Sequence, residues 1–176
     1  MKLKFTKMHG CGNDYIYFNC FEQQVADPEA LSIRLSDRHF GIGGDGIILI
    51  EKGQNADFEM VMYNADGSRG AMCGNGIRCV AKYVYDHKLT DKTTVTIASM
   101  GAVKTIDIQV QDGVAVGASV DMGAPILDPA AIPVVTDCKP PVDVPITVHD
   151  TVYKMTCVSM GNPHAVVFID RSPREF

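Results

Sequence analysis

The stretch Met72-Cys-Gly-Asn-Gly-Ile-Arg-Cys79 constrains the fold most, because a cysteine and a Gly-Asn-Gly turn open a strongly amphipathic segment. Apolar residues then recur at the spacing of one buried helix face, namely Ile77, Val80, Ala81 and Val84. Cys73 is therefore predicted at a helix N-terminus, where unpaired backbone N–H groups and the helix dipole favour negative charge. Such a position favours a thiolate, a bound carboxylate, or both together.

Segments with alternating or continuously apolar side chains on both sides of this helix predict β-strands. They cover residues 3–9, 15–18, 47–50, 58–63, 93–98, 103–110 and 114–120. A second helix is expected from Asp27-Pro28 towards His39, because Asp at the N-cap and Pro at the first position favour a helix start. Residues 1–121 are therefore predicted to form one α+β domain, a mainly antiparallel sheet wrapped around the Cys73 helix.

The glycine-rich segment Gly41–Gly46 contains Gly-x-Gly spacings and resembles a nucleotide-binding loop at first sight. That fingerprint requires a strand before the glycines and a helix after them. Here a predicted helix precedes the segment, and an apolar strand pattern follows it. A tight helix-to-strand loop is the better interpretation.

The composition changes at Met122, after which six prolines fall between residues 125 and 145. Such proline density indicates a connection or an irregular edge rather than a packed element. Strands are expected again at residues 152–159 and 165–169. The boundary between the two predicted domains is accordingly placed after residue 121. Residues 122–176 are then a Pro-rich connection and a further sheet segment.

A short internal repeat suggests what that further segment is. Gly161-Asn162 is followed after two residues by an apolar run, as Gly12-Asn13 is, and a methionine precedes both pairs. If the repeat is genuine, residues 122–176 hold the truncated start of a second domain similar to the first. The counterpart of Cys73 would then lie outside the sequence.

Bulk properties exclude several classes of protein. The net charge is −5 and the Lys and Arg residues are scattered, which argues against a nucleic-acid partner. No apolar run approaches the ~18 residues of a membrane span, so a cytoplasmic protein without a membrane partner is expected. The six cysteines form no CxxC pair, which gives little support to a structural metal site, and most are expected to be small buried residues.

Five segments taken together resemble diaminopimelate epimerase. They are Phe5–Asp14, Arg38–Asp45, Tyr63–Ser68, Met72–Cys79 and Ser159–His164. The resemblance implies two similar halves, each a central helix wrapped by a mainly antiparallel sheet, with one catalytic cysteine from each half. It also implies interconversion of LL- and meso-diaminopimelate without pyridoxal phosphate, metal or another cofactor, a step towards lysine and peptidoglycan precursors.

Residue roles follow from the same resemblance. Cys73 matches the first catalytic cysteine, and His164 matches a histidine that tunes the catalytic thiols. The positions that match substrate-binding residues are Asn13, Asn64, Gly74, Asn75 and Asn162. Two departures matter: Gly46 stands where many members have a glutamine, and the second cysteine motif with its preceding Glu-Arg pair is absent from the sequence.

Inversion of an α-carbon without a cofactor requires one group to remove a proton and another to deliver one to the opposite face. A thiol suits both tasks, since its ordinary pKa lies close to working pH. The chain alone, with one such cysteine, is expected to be inactive.

Three alternatives remain open at this point. They are a related isomerase of the same fold, a non-catalytic carboxylate-binding domain, and a thiol hydrolase built on Cys73 and His164. The oligomeric state is also open, with a homodimer as one option.

Overall fold

The computed structural model describes residues 2–175, and the chain divides into two compact units, Met1–Asp121 and Met122–Phe176. The first unit contains eight strands and two helices. In chain order they are β1 (Thr6–Gly10), β2 (Asn13–Asn19), α1 (Pro28–Ser36), β3 (Gly46–Lys52), β4 (Phe58–Asn64), β5 (Arg69–Gly70), α2 (Gly74–Asp86), β6 (Thr94–Ser99), β7 (Ala102–Gln111) and β8 (Val114–Val120).

The strands of the first unit form one curled sheet in the order β1-β2-β3-β4-β6-β7-β8, with β5 paired to β4. Most neighbours are antiparallel, so the prediction of a mainly antiparallel sheet around a central helix is confirmed. Two pairs, β2–β3 and β4–β6, are parallel. Each of these pairs is joined through a helix, α1 or α2, because a parallel pair needs a long crossover that a tight turn does not supply.

Helix α2 is the element around which the sheet curls. It begins directly after Cys73 and ends at Asp86, where the backbone N–H of His87 donates to the Tyr83 carbonyl. The four apolar positions singled out by their spacing are all completely buried, so the predicted helix and its buried face are confirmed. Burying an aliphatic side chain of this kind contributes about 1.5–3 kcal/mol to folding.

Helix α1 covers the other face of the sheet, where Ile16, Phe18 and Leu49 form a smaller core with its leucines. The Asp27 carboxylate accepts a hydrogen bond from the Ala30 amide at 3.1 Å, as predicted for an N-cap. The helix ends at Ser36 and not near His39 as expected. Asp37 leaves the helical conformation, and its carboxylate accepts hydrogen bonds from the backbone N–H groups of His39 and Phe40. The chain then turns into the glycine-rich loop.

The second unit is a small antiparallel sheet. Its strands are β9 (Val144–Val148), β10 (Thr151–Ser159) and β11 (Pro163–Val167), in the order β11-β10-β9. The sequence predicts β10 and β11 but not β9, because Pro145 lies within β9. Proline is tolerated there because β9 is an edge strand. On its open side no neighbouring strand is present to accept a hydrogen bond from a backbone N–H.

The proline-rich residues before β9 form turns and irregular backbone, apart from a single bridge between Ile126 and Ser159. Within residues 2–175, neither α-helix is long and apolar enough to span a membrane.

Candidate active site

Cys73 is the N-cap of α2. Its backbone is extended, and its Sγ accepts a hydrogen bond from the Gly76 N–H at 3.2 Å. A thiol therefore occupies the position that Ser, Thr, Asp or Asn usually fills. The first-turn N–H groups carry the positive end of the helix dipole, so this end of α2 suits a negatively charged group.

Asn13, at the start of β2, provides the second contact to the thiol. The Cys73 Sγ lies 3.2 Å from the Asn13 Oδ1, to which a protonated thiol donates. The Asn13 Nδ2 in turn donates to Asp45 Oδ2 at 2.6 Å. Asp45 thus fixes the orientation of the amide, so that its oxygen rather than its nitrogen faces the sulfur.

Arg38 holds Asp45 and Asp14 together behind Asn13. Its guanidinium lies 2.7 Å from Asp14 Oδ1 and 3.0 Å from Asp45 Oδ1. Lys7 adds a contact of 2.6 Å to Asp14 Oδ2. Arg38, and then Lys7, hold the pKa of Asp14 well below its usual range, so this carboxylate stays charged in the folded protein.

Replacing Asp14 by asparagine is expected to lower the free energy of unfolding at pH 7 by about 1–2 kcal/mol, because two cations lose their shared partner. The folded-state pKa is depressed, so the stabilisation is present above the unfolded value near 4 and is lost as pH falls. Urea unfolding at pH 7 and at about pH 3 measures the free energy of unfolding and its dependence on pH. The gap between Asp14→Asn and wild type should narrow at low pH, whereas Asp91→Asn, an exposed control, should show neither effect.

Asn64 ends β4 on the face of the sheet that points towards α2. Its Cα pairs in register with Gly46, and Gly46 pairs with Tyr15 on the other side. The Asn64 Nδ2 donates to Ser68 Oγ at 2.9 Å, and Ser68 Oγ donates to Asp66 Oδ1 at 2.6 Å. The turn after β4 therefore orients this amide.

Gly74 and Asn75 are the first two residues of α2. The Asn75 Oδ1 accepts a hydrogen bond from the Arg78 guanidinium one turn along the helix. A Cβ at Gly10, on β1, would lie 3.0 Å from the Asn75 Cβ, so the strand packs tightly against this residue. The position of Asn75 is therefore set by both its own helix and the neighbouring strand.

The structure thus brings five of the seven predicted site residues together at one end of the first unit: Asn13, Asn64, Cys73, Gly74 and Asn75. Asn162 and His164 belong to the second unit. There His164 Nε2 lies 3.0 Å from Asn162 Oδ1, and both side chains are exposed. Their contribution to the Cys73 site stays a prediction.

Two residues that hold Asn13 in place were missed from the sequence: Arg38 and Asp45. Arg38 and Asp45 lie within matched motifs, yet nothing local shows that they converge on Asn13. Only two cysteines, Cys79 and Cys157, are buried, so the expectation that most would be buried is wrong. Cys11 is exposed and accepts a long contact of 3.9 Å from Arg78.

A model of the diaminopimelate epimerase family matches residues 5–127, which include the Cys73 helix start and the Asn13 turn. The chain belongs to the diaminopimelate epimerase family. A diaminopimelate epimerase from Agathobacter rectalis is 55% identical over 96% of this chain, and one from Methanococcus maripaludis is 51% identical over the same share. The chain spans 61% of the length of both relatives.

Solved structures of an epimerase and a probable racemase share the fold of this diaminopimelate epimerase family member. A hydroxyproline epimerase from Agrobacterium vitis matches with a TM-score of 0.66 at 14% identity, over 95% of this chain and 52% of that one. A probable proline racemase from Agrobacterium radiobacter matches with a TM-score of 0.68 at 15% identity, over 94% and 52%. These matches establish an epimerase-type α+β fold.

Proposed function

We propose that the chain forms the Cys73-bearing part of a cofactor-independent epimerase that interconverts LL- and meso-diaminopimelate. The observation that carries the proposal is the Cys73 thiol at the start of α2, within the family's motif and in contact with Asn13 at 3.2 Å. Diaminopimelate is proposed as the substrate because the relatives are diaminopimelate epimerases. The product would feed lysine and peptidoglycan synthesis in the cytoplasm.

In the forward step the Cys73 thiolate takes the proton from the substrate α-carbon. The Cα–H bond breaks, an S–H bond forms, and the electron pair left on Cα spreads into the α-carboxylate. The N–H groups at the start of α2 are oriented towards developing negative charge and require little reorganisation. A second group delivers a proton to the opposite face of Cα, which completes the inversion.

The thiol has a partner in each protonation state. The protonated form donates to Asn13 Oδ1, and the thiolate accepts from the Gly76 N–H. Either form of the side chain therefore keeps a hydrogen bond at the sulfur. A group that serves as base in one direction and as acid in the other must be held in both forms.

Substrate binding falls to the amides and to the helix start. The oxygen of Asn75 is held by Arg78, so its NH₂ group is the part suited to a substrate carboxylate. Asn13 and Asn64 project from the same face of the sheet, and Gly74 lets a ligand approach the α2 backbone closely. For Asn162 and His164, which belong to the second unit, substrate binding and tuning of the catalytic thiols respectively are proposed from the resemblance to the family alone.

The second acid–base group is proposed to come from a segment with a second cysteine motif, which residues 1–176 do not contain. The 176-residue chain alone is therefore expected to be inactive. The test measures solvent-deuterium incorporation at Cα of LL-diaminopimelate by mass spectrometry. The chain as given is compared with a version extended to the length of its relatives, and the extended version is expected to both exchange and invert.

Three outcomes would overturn parts of the proposal. Robust inversion by the short chain would show that a second cysteine is not required. An extended chain that neither exchanges nor inverts diaminopimelate, but acts on another amino acid, would favour a related isomerase of the same fold. An extended chain that binds diaminopimelate without exchange would favour a carboxylate-binding domain.

A further inference from the structure

The glycine-rich loop Gly41–Gly46 is a sequence motif to which the proposed function gives no role. The backbone N–H groups of residues 41–44 donate to carbonyl oxygens at the end of α1, over 2.9–3.1 Å. The Asp45 N–H donates to the Asp14 carbonyl at 2.7 Å. A phosphate-binding loop keeps such groups free for its ligand. This loop instead uses them to fix its own path from α1 to β3.

The loop lies tightly against the end of α1. A Cβ at Gly41 would lie 2.6 Å from the carbonyl oxygens of Arg34 and Leu35, and Gly43 has a φ angle of +81°. From β1, the Lys7 ammonium donates to the Gly43 carbonyl. The glycines therefore permit a path that other residues would obstruct, and this path carries the next side chain, Asp45, to the start of β3.

The Asp45 carboxylate is held at both of its oxygens. Its Oδ1 accepts a hydrogen bond from the Arg38 guanidinium at 3.0 Å. Its Oδ2 accepts from the Asp14 backbone N–H at 3.1 Å and from Asn13 Nδ2 at 2.6 Å. The Asp45 carbonyl accepts from the Ala65 N–H at 3.0 Å, which ties the loop to the turn after β4. The carboxylate therefore cannot turn away from Asn13 without the loss of several hydrogen bonds.

We propose that the glycine-rich loop positions the Cys73 site, with Asp45 as the positioning residue that selects which atom of Asn13 meets the thiol. An ionised carboxylate has no hydrogen to donate, so Asn13 bonds to Asp45 through its NH₂ group. The Asn13 oxygen then faces the Cys73 sulfur, from which it lies 3.2 Å. An amide at position 45 would both donate and accept, and would satisfy either orientation of Asn13.

The choice of oxygen bears on the reaction. In the reverse direction Cys73 acts as an acid, and an oxygen beside the sulfur gives its S–H a defined partner. An NH₂ group in the same place would donate to the thiolate instead. The inference rests on the proposed function only in taking Cys73 as the acid–base group. The hydrogen bonds that carry it do not depend on the substrate.

The first test measures alkylation of Cys73 by iodoacetamide at pH 7 in the 176-residue chain, by mass spectrometry of the Cys73 peptide. Asp45→Asn keeps the size of the side chain and lets Asn13 turn its NH₂ group towards the sulfur. The thiolate, which is the reactive form, would gain a donor, and the rate should rise about threefold. In an Asn13→Ala background the same substitution should change the rate by less than about 1.5-fold, because the connecting amide is absent.

Asp57→Asn is the matched control for a general loosening of the first unit. Asp57 also holds a cation, Lys92, and accepts from a backbone N–H, that of Thr96 at 2.8 Å. It lies next to the start of β4, whereas Asn64 of the site is at the end of this strand. The variant should leave the Cys73 rate within about 1.5-fold of the parent value. Circular dichroism of every variant shows whether the fold is retained.

A spectroscopic measurement tests the orientation of the amide itself. The side-chain NH₂ signals of Asn13 in a ¹H–¹⁵N spectrum are assigned by their loss in Asn13→Ala. Cys73→Ser should shift these signals little in the parent chain, where the NH₂ group faces Asp45. The same substitution should shift them clearly more in Asp45→Asn, where the NH₂ group faces residue 73.

Four results would overturn the proposal. They are an unchanged Cys73 rate in Asp45→Asn, an equal rise in the Asn13→Ala background, an equal rise in Asp57→Asn, and an equal response of the Asn13 signals to Cys73→Ser with and without Asp45. The second and third would show that the carboxylate only stiffens the unit. Because no turnover is measured, every result can be interpreted even if diaminopimelate proves not to be the substrate.

Discussion

Replacing Cys73 by serine, in the protein extended to the length of its relatives, is expected to lower the rate of diaminopimelate epimerisation by about 10³-fold or more. A serine hydroxyl is a far weaker base at neutral pH than a thiol. It nevertheless accepts the Gly76 N–H at least as well, since serine is a preferred N-cap. The free energy of unfolding should therefore remain within about 0.5 kcal/mol of the parent value.

Cys73→Ala separates the two roles of this residue. It removes both the base and the cap, so activity should fall as in Cys73→Ser while stability falls by about 1 kcal/mol. Cys79→Ala, six positions along the same helix and facing the core, is the matched control and should retain activity. A Cys73→Ser variant with near-parent turnover would show that the thiol is not the base.

Solvent-deuterium exchange at Cα provides a second measurement on the Cys73→Ser variant. If Cys73 acts at only one face of Cα, Cys73→Ser should suppress deuterium incorporation for one stereoisomer more strongly than for the other. Equal residual exchange from LL- and meso-diaminopimelate would argue that the remaining group works from both faces. The comparison therefore tests the two-group mechanism, and not only the importance of one cysteine.

Local sequence patterns were sufficient to predict the centre of the fold. Apolar spacing defined α2, and the Cys-Gly-Asn-Gly turn placed Cys73 at its start. Asp27 and Pro28 located the beginning of α1. An Asp-Gly pair favours a tight hairpin turn, and Asp112 and Gly113, between β7 and β8, both have the positive φ angles that such a turn requires.

What the sequence did not reveal arises from contacts between distant segments. Asp45 orients Asn13 across 32 positions of sequence, and Tyr15 meets Gly46 only because β2 and β3 are parallel. That parallel pairing depends on the crossover through α1, and no residue pattern within either strand encodes it. The same reason explains β9, whose proline is acceptable only because the strand lies at an edge.

The ion-pair cluster of Asp14, Arg38 and Asp45 connects these distant segments to the Cys73 thiol through Asn13. Asp45 holds the Asn13 amide, and Arg38 keeps Asp45 in place while also pairing with Asp14. The thiol bonds to the Asn13 amide, which in turn bonds to the Asp45 carboxylate. The cluster therefore orients the group that contacts the thiol.

Gly46 pairs with a neighbouring strand on each side, β2 and β4, and Gly46→Ala is expected to lower the free energy of unfolding by about 3 kcal/mol. A Cβ there would lie 2.1 Å from the Tyr63 carbonyl oxygen and 2.9 Å from Tyr15 Cε1. The first contact is with backbone of the adjacent strand, so relief requires β3 and β4 to separate. Urea unfolding measures the loss.

Gly117→Ala on β8 is the matched control, since its new Cβ would meet only the flexible end of Gln109. Its stability should change by no more than about 0.5 kcal/mol. In Gly46→Ala the new Cβ would also press on the Tyr15 ring, a second contact that Gly117→Ala lacks. A Gly46→Ala protein with parent stability would contradict the tight packing of β2, β3 and β4 around this glycine.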